Sequence, residues 1–232
     1  MAPPDPRIQS YTALARDYDE RRYITADDAL KEGFRWRALR ALFPDRPARA
    51  LDVACGTGRG VAILQDVAPT VCGIDGTLEM LQVAQQKSRR SGRSAPVCQA
   101  NAAALPFASG TFDLVTCLNF VHLFEPDHKQ VFIREIGRVL RPGGTAIVEF
   151  DNALQGGVLG IVRKYGVKDI GYDWPWVMRR SFPPALFTIT AMRGTNLPGL
   201  WRVRPLHGLE RMAGSFPLNY LAARMFVRAV RR

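Results

Sequence analysis

A chain of 232 residues, 47% of them hydrophobic, is long enough for one large α/β domain and short for two full ones. It has no apolar run of the roughly 18 to 20 residues that a membrane-spanning helix needs. Its first residues, Met-Ala-Pro-Pro-Asp-Pro-Arg, lack the cationic start and apolar stretch of a secretory signal. We therefore expect a cytoplasmic protein.

The net charge of +11 is unevenly spread along the chain. Residues 151–232 hold 13 Lys and Arg against 4 Asp and Glu, whereas residues 1–150 hold 19 against 17. This basic surplus predicts contact with something anionic, such as a lipid surface, a nucleic acid or an acidic substrate; a basic surface that serves only solubility explains it equally well. The four cysteines show no Cys-x-x-Cys spacing, so we expect buried side chains and no metal site.

Residues 8–42 carry apolar side chains at helical spacing, with an interruption near residues 23–26. Beyond them, apolar runs and helical patterns alternate, which predicts a parallel sheet with right-handed crossovers and ligands at the carboxyl ends of its strands. We place strands near residues 49–54, 70–75, 96–99, 112–118 and 144–150, and helices near 59–68, 77–91 and 127–140.

The first predicted strand ends in Asp52 and runs into the glycine-rich sequence Ala-Cys-Gly-Thr-Gly-Arg-Gly at residues 54–60. Gly56 and Gly58 allow turn geometry and a close approach of a ligand to the backbone. The nucleotide fingerprint Gly-x-Gly-x-x-Gly is similar, but Val61 stands at its third glycine. A carboxylate at Asp52 would repel a pyrophosphate and suits a ligand that carries an ammonium and a sulfonium group.

Three more motifs follow in chain order. A second short strand, residues 71–75, ends in Asp75, where a carboxylate can accept hydrogen bonds from two ribose hydroxyls. Asn101-Ala-Ala-Ala-Leu-Pro-Phe precedes the buried strand at 112–118, and Arg138-Val-Leu-Arg-Pro-Gly-Gly leads into the strand at 144–150. These clues converge on one edge of the sheet.

With these motifs in this order, residues 45–150 resemble the core of a class I S-adenosylmethionine-dependent methyltransferase. The resemblance implies a Rossmann-like, doubly wound α/β fold with a mostly parallel seven-stranded sheet. It also implies S-adenosylmethionine as cofactor. The chain would form a single domain with three parts. These are an N-terminal helical cap (1–44), the cofactor-binding core (45–150) and a C-terminal region that caps the acceptor and completes the sheet (151–232).

The resemblance assigns roles residue by residue. Gly56 and Gly58 would pass under the methionine and ribose, Asp52 would lie near the amino group, and Asp75 would bind the ribose hydroxyls. Asn101 stands where the family usually has an Asp that accepts from the adenine amino group. Ala54 stands where the family often has Gly, and we expect it to keep a negative φ. The remaining cofactor-binding candidates are Tyr18 in the cap, Gly76 after the second strand, Ala102, and Asn119 after the fourth strand.

His122, just after the fourth strand, matches a position where many relatives have His. We predict that it contacts the cofactor or the acceptor; the alternative is a structural role behind the residues that contact the ligand. Methyl transfer needs alignment, exclusion of water and, for a phenol or a stabilised carbanion, a base.

The last third of the chain is less regular. We predict helices near residues 181–192 and 205–214 and a closing strand at 223–230, with Leu200–Arg204 as its candidate partner. Its scattered Trp, Phe and Arg side chains resemble an interfacial surface; alternatively, the aromatics are the core of the cap.

Together with the Glu149-Phe150 strand end, which resembles ubiquinone/menaquinone C-methyltransferases, these aromatics predict O- or C-methylation of a small, hydrophobic or lipid-phase acceptor. They also predict a peripheral contact with the anionic inner face of a membrane. No stripe of clustered Lys and Arg and no Asn-Pro-Pro-aromatic motif is present, so we do not expect a nucleic-acid partner. Two alternatives remain: non-methyl chemistry with the same cofactor, and a catalytically silent cofactor-binding module with a basic tail.

Overall fold

The computed structural model describes residues 11–22, 25–153, 173–197 and 221–232. Their centre is a seven-stranded sheet in the order β3-β2-β1-β4-β5-β7-β6. The first five strands are parallel, and β7 runs antiparallel to both of its neighbours, β5 and β6. The strands are β1 (Arg49–Val53), β2 (Thr70–Asp75), β3 (Val97–Gln99), β4 (Phe112–Cys117), β5 (Leu140–Asp151), β6 (Phe187–Thr195) and β7 (Arg224–Arg231).

Helices cover both faces of the sheet. They are α1 (Tyr18–Arg22), α2 (Ala26–Arg40), α3 (Arg59–Leu64), α4 (Leu78–Arg90), α5 (Pro126–Val139) and α6 (Pro175–Arg180). Short 3-10 turns stand at Ala15–Asp17 and Val121–Leu123. No helix among the described residues is long and apolar enough to cross a bilayer.

Each central strand divides its side chains between two apolar cores. Val115 and Val148 pack with Phe132 and Ile136 of α5, whereas the adjacent Leu114 and Ile147 belong to the core on the opposite face. Leu39, Leu64 and Leu81 bring α2, α3 and α4 to that second face. Because neighbouring strand residues point to opposite faces, apolar runs without polar alternation are expected of a sheet that is covered on both sides.

The predicted fold class is confirmed, including the N-terminal helices and the antiparallel closing strand. Helix α3 ends at Leu64, four residues before the predicted end. Residues 205–214 and Leu200–Arg204 lie outside the described residues.

Two expectations for the last third are wrong. Residues 187–195 form strand β6 instead of continuing the helix predicted over 181–192, and the partner of β7 on its outer side is β6 rather than Leu200–Arg204. Phe182, Leu186 and Ile189 have helical spacing, but pairing with β7 and the β-branched run Thr188-Ile189-Thr190 favour the strand. A bulge between Ile189 and Ala191 disturbs the two-residue alternation that would have revealed it.

Candidate active site

A cavity of about 640 Å³ lies at the carboxyl ends of β1, β2 and β4. Its volume falls within the range of roughly 300 to 1,000 Å³ that is typical of cofactor and small-molecule sites. Most of the residues that the sequence pointed to as cofactor-binding line it: Tyr18, Asp52, Ala54, Gly56, Asp75, Gly76, Asn101, Ala102 and Asn119. The structure therefore brings together residues that are up to 101 positions apart, as in the Asn119–Tyr18 contact.

The glycine-rich turn takes the left-handed backbone conformation at three positions, Ala54, Gly56 and Gly58. Gly56 has φ +52° and Gly58 φ +83°. Gly58 is not among the residues that line the cavity; it is the N-cap residue of α3, and a Cβ there would lie 3.0 Å from the Cβ of Ala84. The glycine at 58 is thus required by backbone conformation and by packing against α4 rather than by direct contact with a ligand.

Ala54 corrects the sequence-based expectation. Its φ is +56°, not negative. Two backbone hydrogen bonds of the next residue fix the turn: Cys55 N–H donates to Ile74 O at 2.8 Å, and Gly58 N–H donates to Cys55 O at 2.9 Å. These bonds hold an L-residue in a conformation that costs of order 1 kcal/mol.

Asp52 is buried beneath this turn, with 2% of its surface exposed. The hydroxyl of Thr116 donates to Asp52 Oδ1 at 2.7 Å. A Cβ added to Gly60 would lie 2.2 Å from Oδ2, so only glycine fits above the carboxyl group. Burial raises the pKa of Asp52 to about 7, with Thr116 and Arg35 acting against the shift. A cationic ligand beside it would favour the ionised form.

Asp75, at the end of β2, holds the turn while it faces the cavity. Its Oδ2 accepts the N–H of Gly56 and its Oδ1 accepts the N–H of Thr77, both at 2.8 Å. Burial raises the pKa of Asp75, and these backbone hydrogen bonds oppose the rise. A carboxylate has about four acceptor sites, so two hydroxyls can be bound in addition.

Asn101 and Gln99 border the same part of the cavity. The side-chain oxygen of Asn101 accepts the N–H of Ala103 at 2.9 Å, so a second hydrogen bond from an amino group would use its other lone pair. Gln99 Nε2 donates to Gly76 O at 2.9 Å. Gln99 was not among the residues predicted from the sequence, and its place at the end of β3 is the signal that could have found it.

A buried ion-pair network at Glu149 connects the cap to the sheet. Arg35, on α2, donates from Nε and Nη2 to the two carboxylate oxygens of Glu149 at 2.6 and 2.5 Å. Arg224 of β7 donates to Glu149 Oε1 at 3.2 Å and to the side-chain oxygen of Asn119 at 3.1 Å. The two guanidinium groups hold the pKa of Glu149 well below its usual range, although burial alone would raise it.

The same network orients Asn119, which the sequence did predict for this site. Its N–H donates to Glu149 Oε2 at 2.9 Å, and its φ is +53°. Because its side-chain oxygen accepts from Arg224, its Nδ2 is directed toward the phenol oxygen of Tyr18, at 3.2 Å. Tyr18 is thereby fixed at the cavity wall by residues of the sheet.

Asp19, beside Tyr18, ties helix α1 to the floor of the cavity. The hydroxyl of Thr57 donates to Asp19 Oδ1 at 3.1 Å, and Lys87 of α4 forms an ion pair with the same carboxylate. The N-terminal cap is therefore attached to the glycine-rich turn on one side and to the Glu149 network on the other.

Aromatic side chains form the wall beyond β4. Phe120 lies 4.8 Å from Phe124 and 5.1 Å from Phe132, measured between ring centroids, and Phe124 lies 4.7 Å from Phe132. Trp36 and Tyr11 line the cavity from the cap. This part of the cavity suits a flat, apolar group.

His122 lies in the turn Val121–Leu123, and its Nδ1 is buried. Among the described residues that line the cavity, its neighbours Phe120, Leu123 and Phe124 are present and His122 is not. Its predicted catalytic role stays a prediction. No group of three or more His, Cys, Asp or Glu within the described ranges is arranged to hold a metal ion.

Comparisons with known proteins agree with this geometry. Residues 51–148 match the methyltransferase domain family. The chain is 34% identical over 169 residues to an uncharacterized protein of Mycobacterium tuberculosis, covering 70% of this chain and 58% of that protein. It is 32% identical over 142 residues to the demethylmenaquinone methyltransferase of Bacillus licheniformis, covering 59% of each. It thus spans a little over half the length of these curated relatives.

Among solved structures, the fold is similar to that of a Thermotoga maritima protein described as an S-adenosylmethionine-dependent methyltransferase and possible histamine N-methyltransferase. The TM-score is 0.69 at 16% identity, with 97% of this chain and all of the other covered. The resemblance to class I S-adenosylmethionine-dependent methyltransferases is confirmed. The residues present fit the cofactor that it implies, since a left-handed glycine turn, the buried Asp52 and the carboxyl group of Asp75 meet at one cavity.

Proposed function

We propose that this chain, whose residues 51–148 match the methyltransferase domain family, transfers a methyl group from S-adenosylmethionine to a small hydrophobic acceptor, by O- or C-methylation. The observation that carries this proposal is the position of Asp52, a buried carboxyl group of raised pKa directly beneath the glycine turn. Such a group is stabilised in its ionised form by a cation and destabilised by a pyrophosphate. Asp75 supplies the acceptor for a ribose in the same cavity.

The aromatic wall supports a flat acceptor, for instance a quinone precursor or a prenylated phenol. Phe120, Phe124 and Phe132 offer ring faces and edges to such a group. One of the similar proteins is named demethylmenaquinone methyltransferase, which agrees in chemical class. We propose His122 as the group that contacts the acceptor or cofactor beside this wall.

The chain's own contribution to the reaction is alignment and exclusion of water. When bound, the cofactor supplies an electrophilic methyl group on a sulfonium. Tyr18, held by Asn119, and the cap attached through Asp19 cover the cavity. A closed, apolar surrounding keeps water away from the reacting atoms and holds them in line.

The direct test is product analysis with methyl-labelled cofactor and a panel of demethylated naphthoquinols, phenols and amines. We expect S-adenosylhomocysteine together with a quinol or phenol whose mass has increased by one methyl group. Cofactor turnover without a methylated product would favour non-methyl chemistry. Cofactor binding without turnover across the panel would favour a silent binding module.

The surface around α6 supports the proposed contact with an anionic membrane. Trp174 and Trp176 are stacked at 5.0 Å, with an angle of 7° between the rings, and are 39% and 54% exposed. Arg179 and Arg180 follow on the same short helix and are exposed. Aromatic rings beside arginines are typical of surfaces at headgroup depth. Arg224, by contrast, is paired with Glu149 and is unsuited to a lipid contact.

Sedimentation with phosphatidylglycerol vesicles tests this contact. Binding should fall as salt rises, because the screening length shortens to about 8 Å at physiological ionic strength. It should fall again on replacement of Arg179 and Arg180 by Ser, while the same change at the exposed pair Arg89 and Arg90 of α4 serves as control. No binding at low salt, or equal loss in both variants, would exclude this surface.

A further inference from the structure

Arg59 is a cationic side chain in the cavity wall to which the proposed function assigns no role. We infer that its guanidinium group binds the α-carboxylate of the cofactor's methionine end, while Asp52 faces the α-ammonium group. The inference rests on the proposed function and adds a residue that distinguishes cofactors by their carboxylate.

The position of Arg59 in the turn supports this pairing. It is the first residue of α3, between Gly58 and Gly60. Gly60 packs directly against the carboxyl group of Asp52, since a Cβ added to Gly60 would lie 2.2 Å from Asp52 Oδ2. The same turn of backbone thus places the guanidinium group of Arg59 at the cavity wall and packs against the buried carboxyl group of Asp52. An amino acid's ammonium and carboxylate groups share one carbon, so neighbouring groups of opposite charge are what such a ligand requires.

Neighbouring side chains hold the guanidinium at the cavity wall. Arg59 Nη2 donates to Glu32 Oε2 at 3.1 Å, and Arg35 Nη1 donates to the same oxygen at 3.2 Å. The Cζ atom of Arg59 lies 5.7 Å from the centre of the Trp36 ring. Glu32 is thus shared between two guanidinium groups, and Trp36 offers a ring face to Arg59.

Arg59 remains accessible in this arrangement. Its side chain is 31% exposed, whereas that of Arg35, which is bound to both Glu32 and Glu149, is 5% exposed. A guanidinium group presents planar, paired N–H donors that match a carboxylate. Of these two arginines in the cavity wall, Arg59 is therefore the one that a carboxylate from the cavity can reach.

A purely structural reading assigns Arg59 only to its ion pair with Glu32, which would tie α3 to α2. The two readings differ in their response to ligands with and without a carboxylate. S-adenosylmethionine and its decarboxylated form differ by that group alone.

Calorimetry with both ligands, on wild type and on the variants Arg59→Met and Glu32→Gln, separates the readings. We expect Arg59→Met to weaken binding of S-adenosylmethionine by about 10- to 100-fold, the range for losing a charge-assisted hydrogen bond. Binding of the decarboxylated ligand should stay within about twofold of wild type, since its interaction with Arg59 is absent in both proteins. Glu32→Gln keeps the guanidinium group and should keep the preference for the carboxylate.

Equal weakening of both ligands in Arg59→Met, reproduced by Glu32→Gln, would overturn the inference in favour of the structural ion pair. An unchanged affinity for S-adenosylmethionine would overturn it as well. Thermal unfolding of each variant confirms that the ligands meet folded protein. If wild type binds neither ligand, the proposed function itself fails, which is a distinguishable result.

Discussion

Replacing Asp52 with Asn should stabilise the ligand-free protein at alkaline pH and weaken cofactor binding. The hydrogen bond from the Thr116 hydroxyl to Oδ1 can persist in the amide. The change removes a carboxyl group whose ionisation is opposed by burial. It also removes the negative charge that we propose for the cofactor's ammonium group, so stability and binding should move in opposite directions.

The magnitude follows from the raised pKa. Asp52 titrates at about 7 in the folded protein against 3.8 for an ordinary aspartate. Because the folded pKa is the higher one, the protonated group favours the folded state, and this contribution is lost as pH rises from about 4 through about 7. At about 1.4 kcal/mol per pKa unit, this difference in pKa lowers the free energy of unfolding by about 2 kcal/mol at pH 5 and by about 4 kcal/mol at pH 8.

The assay is urea unfolding of wild type and Asp52→Asn at pH 5 and pH 8. The difference in unfolding free energy should shift by about 2 to 3 kcal/mol in favour of the variant between these pH values. Asp113→Asn is a suitable control, because the pKa of Asp113 is lowered by its hydrogen bonds to Arg141 and to the backbone of Arg49 and Ala48. Its effect should be constant over this range. A constant difference for Asp52→Asn would refute the assignment of a buried, reluctantly ionised carboxyl group.

Three further outcomes are expected. Asp75→Ala should weaken cofactor binding, measured by calorimetry, by about 1.5 to 3 kcal/mol for each charge-assisted hydrogen bond lost to the ribose. It should also lower the stability of the protein, because the N–H groups of Gly56 and Thr77 lose their acceptor. An unchanged cofactor affinity would remove Asp75 from the site. His122→Ala should lower turnover far more than cofactor affinity if the residue acts in the transition state, whereas equal losses in kinetics and calorimetry would indicate a structural role. Glu149→Gln should destabilise the protein by about 3 to 5 kcal/mol in denaturant unfolding, because it leaves buried guanidinium groups without their carboxylate; a loss below about 1 kcal/mol would contradict the importance of the network.

The core of the fold could be predicted because its signals are local. Strands β1, β2, β4 and β5 contain apolar runs, an acid stands at or near the end of β1 and of β2, and a glycine turn follows β1. Strand ends of a parallel sheet meet at one edge, so the position of Asp52 and Asp75 in one cavity followed from sequence order alone.

The Glu149 network could not be predicted in the same way. Arg35 and Glu149 are separated by 114 positions, and nothing in the helix around Arg35 marks it as the partner of a strand residue. An arginine on a helix is ordinarily exposed, yet Arg35 is 5% exposed here. Only tertiary packing of the cap on β5 creates the pair, and with it the fixed orientation of Asn119.

Strand β6 and the backbone at Ala54 show the same limit on a smaller scale. Residues 187–195 become a strand because β7 is available to pair with them. The φ of Ala54 is set by hydrogen bonds to neighbouring segments, not by the preference of alanine. At β6 the helical spacing of the apolar residues gave the wrong element, and at Ala54 the preference of alanine gave the wrong φ, because in both places bonds to other segments decide the conformation.

The carboxyl groups of Asp52 on β1 and Glu149 on β5, two strands separated by β4, have opposite electrostatic surroundings. This contrast bears on what the cavity binds. Glu149 receives hydrogen bonds from two guanidinium groups, so its pKa is lowered and its charge is already compensated. Asp52 receives the hydroxyl of Thr116, and its pKa is raised to about 7 because burial outweighs that bond and the more distant charge of Arg35. A carboxyl group in the second condition gains most from a cation that arrives with a ligand. The site is therefore better suited to a ligand that brings positive charge to Asp52 than to an anionic nucleotide, and binding of such a ligand should strengthen as pH rises through about 7.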